Sequence, residues 1–111
     1  MKHSTSLGDF EQIVLLAILR RDGDAYGVKI RAEIAERTGR TVAPGALYTA
    51  LDRLEDKKLV KSRMGDPTPQ RGGRSKRYYS VTPAGRTSLA QVQQAYRRML
   101  EGLEILGGAH A

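Results

Sequence analysis

The sequence has no cysteine and no tryptophan, a single phenylalanine, and only two histidines, His3 and His110, near opposite ends of its 111 residues. Without cysteine there is no disulfide framework, no thiolate nucleophile and no thiolate metal site. Two distant histidines and no gathered carboxylates leave no metal-ligand set of the kind a hydrolase or a magnesium-dependent nuclease needs. No enzyme and no cofactor are therefore expected. Long apolar runs are also missing. The longest, Ile13 to Leu19, has seven residues, whereas a membrane helix needs about 20. The polar start, Met1 to Ser6, lacks the apolar stretch of a signal peptide. The expected compartment is the cytoplasm, with no membrane partner.

What is present is charge of one sign in one place. The chain is 40% hydrophobic and 28% charged, with a net charge of +7, a balance that suits one folded domain with an appended helix. Residues 1–60 carry ten basic and nine acidic side chains. Residues 61–86 carry seven basic ones (Lys61, Arg63, Arg71, Arg74, Lys76, Arg77, Arg86) against Asp66 alone. A field concentrated in one segment attracts a polyanion there; the plainer alternative is a solvated loop.

Hydrophobic spacing predicts a first helix over about Phe10 to Arg21, with Asp9 as N-cap and Gln12 reaching back. Its apolar residues cover nearly the whole circumference, which implies burial on more than one side; a second protomer is one way to supply it. Asp22-Gly23-Asp24 reads as a turn. With Glu33 this stretch has much of the spacing of a calcium loop, but Tyr26 and Lys29 occupy ligand positions badly, and a turn leading into a helix fits better. A second helix follows, about Tyr26 to Arg37, with Gly39 as its stop. A third starts at Pro44, a favoured first position, and runs to about Lys58. The period then changes to that of strands over Leu59 to Met64 and Arg77 to Val81. The segment between them is rich in Pro, Gly and charge and reads as a long exposed hairpin loop. Thr82-Pro83 opens a last helix to about Leu106.

This order, mainly α with a two-stranded β-hairpin, is that of a winged helix-turn-helix followed by a C-terminal dimerisation helix. The expected division is residues 1–82 for the DNA-binding domain and residues 83–111 for the helix. In the recognition helix, Leu47, Leu51 and Leu54 face the core, leaving Gly45, Ala46, Thr49 and Arg53 outward with Asp52 and Asp56. The small first turn can approach base edges, and Arg53 can reach a phosphate or a guanine; alternatively it pairs with a neighbouring aspartate on a solvated face. Asp52 and Asp56 would repel phosphate, so the helix should enter a groove by its N-terminal end. Tyr48, on the flank, either packs or turns its hydroxyl to a phosphate. In the wing, Arg71 and Arg74 flank Gly72 and Gly73, which suits close approach to a sugar-phosphate wall, and Lys61, Arg63, Lys76 and Arg77 can add phosphate contacts.

The last helix carries Leu89, Val92, Tyr96, Met99, Leu103 and Leu106 at alternating spacings of three and four, an a/d seam that predicts a homodimer. The rival readings are a winged helix used for protein contacts and one used for double-stranded RNA.

Gly45 to Leu54 resembles the recognition-helix motif of the PadR-like transcriptional regulators. So do Tyr26-Gly27, and the run from Arg71 through Tyr78 and Tyr79 to Thr82-Pro83-Ala84-Gly85. The likeness covers about residues 7–106 and points to the family's small subgroup, which has a single C-terminal helix. It implies a bacterial, sequence-specific, homodimeric repressor of double-stranded DNA that binds a two-fold symmetric operator. The dimer would form through the last helix with help from the first. The likeness also implies that a small apolar effector releases the DNA in some members. Two departures stand out. Ala43 precedes Pro44 where related sequences often carry a capping residue. The tryptophan that drug-binding members tend to use between subunits is absent, so that kind of drug binding is not implied.

Overall fold

The first helix, α1 (Asp9–Arg20), begins one residue earlier than its sequence signals suggest, with Gly8 as N-cap. Glu11, not Gln12, folds back to accept the Gly8 N–H at 2.9 Å. Asp9 becomes the first helical residue, where its charge favours the helix dipole. Glu11 also accepts Lys57 Nζ at 2.8 Å, tying the start of α1 to a point 46 residues away. The computed structural model describes residues 7–65 and 75–104. The further elements are α2 (Gly27–Thr38), α3 (Pro44–Asp56), β1 (Val60–Met64), β2 (Arg77–Val81) and α4 (Pro83–Leu100), the mainly helical, single-hairpin architecture expected.

Val14, Leu15 and Ile18 of α1 meet Ile30 and Ile34 of α2, Leu47, Leu51 and Leu54 of α3, and Leu59, Val60, Tyr79 and Leu89 in one core. Most of the circumference of α1 is thus covered within the domain, and Leu16, 41% exposed, is its exposed apolar position. Two arginines close on Glu33 at the α1–α2 side: Arg21 Nε at 2.9 Å and Arg37 Nε at 3.0 Å. The Arg37 hydrogen bond lowers the Glu33 pKa most; burial opposes it and Arg21 adds to the lowering.

The third helix, α3, expected as the recognition helix, ends at Asp56, short of the expected Lys58. Lys58 instead takes a left-handed backbone, φ 65°, because the chain must reverse at once into β1. The strands pair antiparallel from Val60 with Val81 to Met64 with Arg77. The Tyr79 N–H donates to the Ala25 carbonyl at 2.9 Å, which docks the hairpin beside the start of α2.

Thr82 joins three elements. Its hydroxyl caps α4 by accepting the Gly85 N–H at 3.0 Å and donates to the Lys58 carbonyl at 2.8 Å. Its N–H donates to the Leu59 carbonyl at 3.0 Å. Gly85 lies so close to that carbonyl that a Cβ would collide with it. The last helix stops at Leu100, six residues before the expected end, because Glu101 leaves helical geometry and Gly102 turns at φ 80°. Leu103 therefore lies past the helix, and Leu106 falls outside the described residues. Leu89, expected on the seam, belongs to the domain's own core at 6% exposure. Beyond it α4 leaves the domain: Val92 is half-buried, Tyr96 is 65% exposed and Met99 78%.

Candidate nucleic-acid interface

Pro44 starts α3 because its fixed φ suits a first helical turn, and Ala43 before it supplies no side-chain cap. The first-turn N–H groups are thus left for an outside acceptor. Gly45, Ala46, Tyr48, Thr49 and Arg53 are all exposed, as the helical spacing requires. Arg53 pairs with neither Asp52 nor Asp56 among the described residues. The turn leading into α3 is pinned by Arg31, whose Nε donates to the Val42 carbonyl at 2.7 Å. Beside it the Arg40 guanidinium sits 5.4 Å from the centre of the Phe10 ring, a cation near this face that the sequence did not single out. Between α3 and the start of α1 lies an open groove of about 470 Å³ that reaches Thr49, Arg53 and Lys57.

Tyr48 resolves its two alternatives in an intermediate way. Its ring lies over the start of α2, so that a Cβ at Gly27 would meet the hydroxyl and come within 3.0 Å of Cζ. Nearly half of the residue nonetheless remains open to solvent. Glycine at position 27 is what lets α3 approach α2 there.

The hairpin has two faces, set by its register. Val60, Ser62, Arg77 and Tyr79 share the inner one. On it Arg77 Nη1 donates to Ser62 Oγ at 3.0 Å, and Ser62 Oγ donates to Glu55 of α3 at 2.9 Å. Arg77 is therefore partly committed to joining the hairpin to α3. Burial pushes the Tyr79 phenol above its ordinary pKa, so it stays neutral. Lys61 and Arg63 point from the outer face, over a cleft of about 420 Å³ shared with Tyr78 and Ser80. Lys76 is exposed at the strand entrance. Arg71, Gly72, Gly73 and Arg74 lie outside the described residues.

Three tyrosines connect the two halves of this surface. Tyr48 reaches Gly27, the adjacent Tyr26 ring meets Tyr78 edge-on at 5.5 Å, and Tyr78 lies on β2. No group of His, Asp or Glu among the described residues could hold a metal ion, and no helix there is long and apolar enough to cross a membrane. The arrangement offers small residues, backbone donors and unpaired cations to an extended anion.

The protein is 37% identical over 89 residues to the transcriptional regulator Rv3488 of Mycobacterium tuberculosis, covering 78% of this chain and 75% of that one. It is 33% identical over 106 residues to an uncharacterized protein of Lysinibacillus sphaericus, covering 87% and 93%. Among solved structures it resembles a PadR family transcription regulator of Clostridium difficile R20291, with 31% identity, a TM-score of 0.65, and coverage of 81% of this chain and 90% of that one. The transcriptional regulator PadR-like family matches residues 15–91, a span that holds α2, α3, both strands of the hairpin and the second half of α1, and on these grounds the chain belongs to that family.

Proposed function

We propose that the protein is a homodimeric repressor that binds a two-fold symmetric operator in double-stranded DNA. The N-terminal end of α3 enters the major groove and the hairpin lies against the adjoining backbone and minor groove. The observation that carries this reading is the continuity of one exposed surface, from the uncapped, small-residue first turn of α3 through Tyr48 to the cations of the hairpin. Gly45, Ala46 and Thr49 approach base edges, and Arg53 reaches a base or phosphate. Lys61, Arg63 and Lys76 follow the backbone together with Arg71 and Arg74 around Gly72 and Gly73, while Arg77 divides its donors between Ser62 and DNA. Asp52 and Asp56 keep the second half of α3 away from phosphate.

Residues 1–82 form the reading head and residues 83–111 the pairing element. The stripe of half-buried Val92 and exposed Tyr96 and Met99, continued by Leu103, meets its counterpart on a second protomer, and Leu16 of α1 adds to it. The seat for a small apolar effector is the groove of about 190 Å³ along α4 that Gln12 of α1 also lines. The working compartment is the bacterial cytoplasm.

Selection of bound fragments from random DNA tests the reading. An inverted repeat is the expected product. A log–log salt slope of about −6 is expected for a dimer neutralising three or four phosphates per protomer, at about 0.9 for each. Equal binding to A-form RNA, or fragments without symmetry, would refute it.

A further inference from the structure

We propose that Tyr26 and Tyr78 are positioning residues for DNA binding: their rings hold Lys76 and Arg63 in place and leave the charge of both cations free for phosphate. This deepens the DNA-binding reading above and rests on it. Arg63 and Tyr78 are cross-strand partners in the hairpin register, and the guanidinium carbon stands 4.8 Å from the centre of the Tyr78 ring. That ring is itself walled in. The Tyr26 ring meets it at an interplanar angle of 71°, and a Cβ at Gly65 would come within 3.1 Å of its Cδ1 and nearer to its Cε1. Lys76 Nζ lies 5.1 Å from the centre of the Tyr26 ring. The backbone of Tyr26 is fixed in turn, since its N–H donates to the Asp24 carbonyl at 3.2 Å and its carbonyl accepts the Ile30 N–H at 2.9 Å.

A carboxylate could fix a cation equally well, but it would cancel the charge and use up the donors. Asp22 lines the same cleft as Arg63, yet neither Arg63 nor Lys76 has an acidic partner among the described residues. A ring face holds a cation through its quadrupole without neutralising it. A stacked guanidinium keeps its N–H edge in the plane parallel to the ring, open to a phosphate oxygen. The order Arg63, Tyr78, Tyr26, Lys76 thus forms a ladder across the loop end of the two strands, beside the start of α2 and within one residue of the site where Tyr48 meets Gly27.

The test is a pair of double-mutant cycles on the full chain: Tyr78→Leu with Arg63→Met, and Tyr26→Leu with Lys76→Met. Affinity for a selected operator is measured across a salt series, and folding of each variant is checked by circular dichroism. Tyr78→Leu should weaken binding about fivefold and reduce the salt slope by about 0.9 per protomer. Arg63→Met should then add little, and Tyr78→Phe, which keeps the ring, should restore both. Should Tyr78→Leu not fold, the Tyr26 cycle gives the same readout through Lys76. Wild-type binding with an unchanged slope in the tyrosine variants, or additive losses in the cycles, would overturn the positioning role alone. Absence of salt-dependent binding by the wild type would overturn the DNA-binding reading as well.

Discussion

Replacing Gly85 by alanine sets two opposing effects against each other, and the structure decides between them. In an open helical position the change stabilises by about 1 kcal/mol, because glycine has the higher conformational freedom to lose. At Gly85 the new methyl would collide with the Leu59 carbonyl oxygen and stand 2.7 Å from Val81 Cγ1. The first obstacle is backbone and cannot rotate away. Crowding of this kind costs about 1–3 kcal/mol. Moving α4 aside instead weakens the Thr82 cap and the Thr82–Lys58 hydrogen bond, each worth about 1 kcal/mol. Set against the gain of about 1 kcal/mol, the expected net loss is up to about 2 kcal/mol, a fall in Tm of up to about 10 °C for a domain of this size. Urea unfolding followed by far-ultraviolet circular dichroism measures it. Gly45→Ala is the control, since a Cβ there meets nothing within 4 Å; it should raise stability by about 0.5 kcal/mol. If Gly85→Ala stabilises as much as Gly45→Ala, the close packing of α4 on the Leu59 carbonyl is not a constraint and the reasoning fails.

Two further outcomes follow from the geometry. Glu33→Gln should destabilise the protein at neutral pH. The Glu33 pKa is lowered in the folded state, so its contribution is fully present above the unfolded carboxylate value of about 4.3 and is lost as pH falls through the lower folded value. Urea midpoints of the two proteins should therefore converge below about pH 4, and a gap that stays constant to pH 2 would count against the ion-pair cluster. Val92→Asp combined with Met99→Asp should leave the domain folded, because Met99 is exposed and Val92 only half-buried. Sedimentation should then find monomers with much weakened operator binding, whereas an unchanged dimer would remove α4 from the interface.

Local punctuation made most of the architecture legible. Gly39, Pro44 and Thr82-Pro83 act on their own neighbours, and the ends they predict are where the structure has them. The change of period gave both strands, the first beginning one residue later than expected, at Val60; the separation of Lys61 and Arg63 from Tyr79 came only with the register. Signals that compete over the same few residues were not resolved. Glu11 outdid Gln12 for the cap because it also gained Lys57, a partner invisible at short range. The apolar period running on to Leu106 masked Gly102, which stops the helix first. A heptad seam also cannot say which copy covers it, and Leu89 is covered by its own domain. Glu33 enters the sequence reading only as the end of a calcium-like loop, whereas the fold gives it Arg21 and Arg37 as partners. The Tyr26–Tyr78 contact joins positions 52 residues apart and has no signature in one sequence.

The passage from α3 to β1 uses only Lys57, Lys58 and Leu59, with Lys58 held left-handed. That brevity gears the helix to the hairpin. One residue added to the last turn of α3 would advance the helix by about 100° and exchange the two sides of the following strand. Lys61 and Arg63 would then turn inward and Val60 would meet water. The lengths of the two elements can change only in concert, so inserted residues that spare the hairpin must enter elsewhere in the chain.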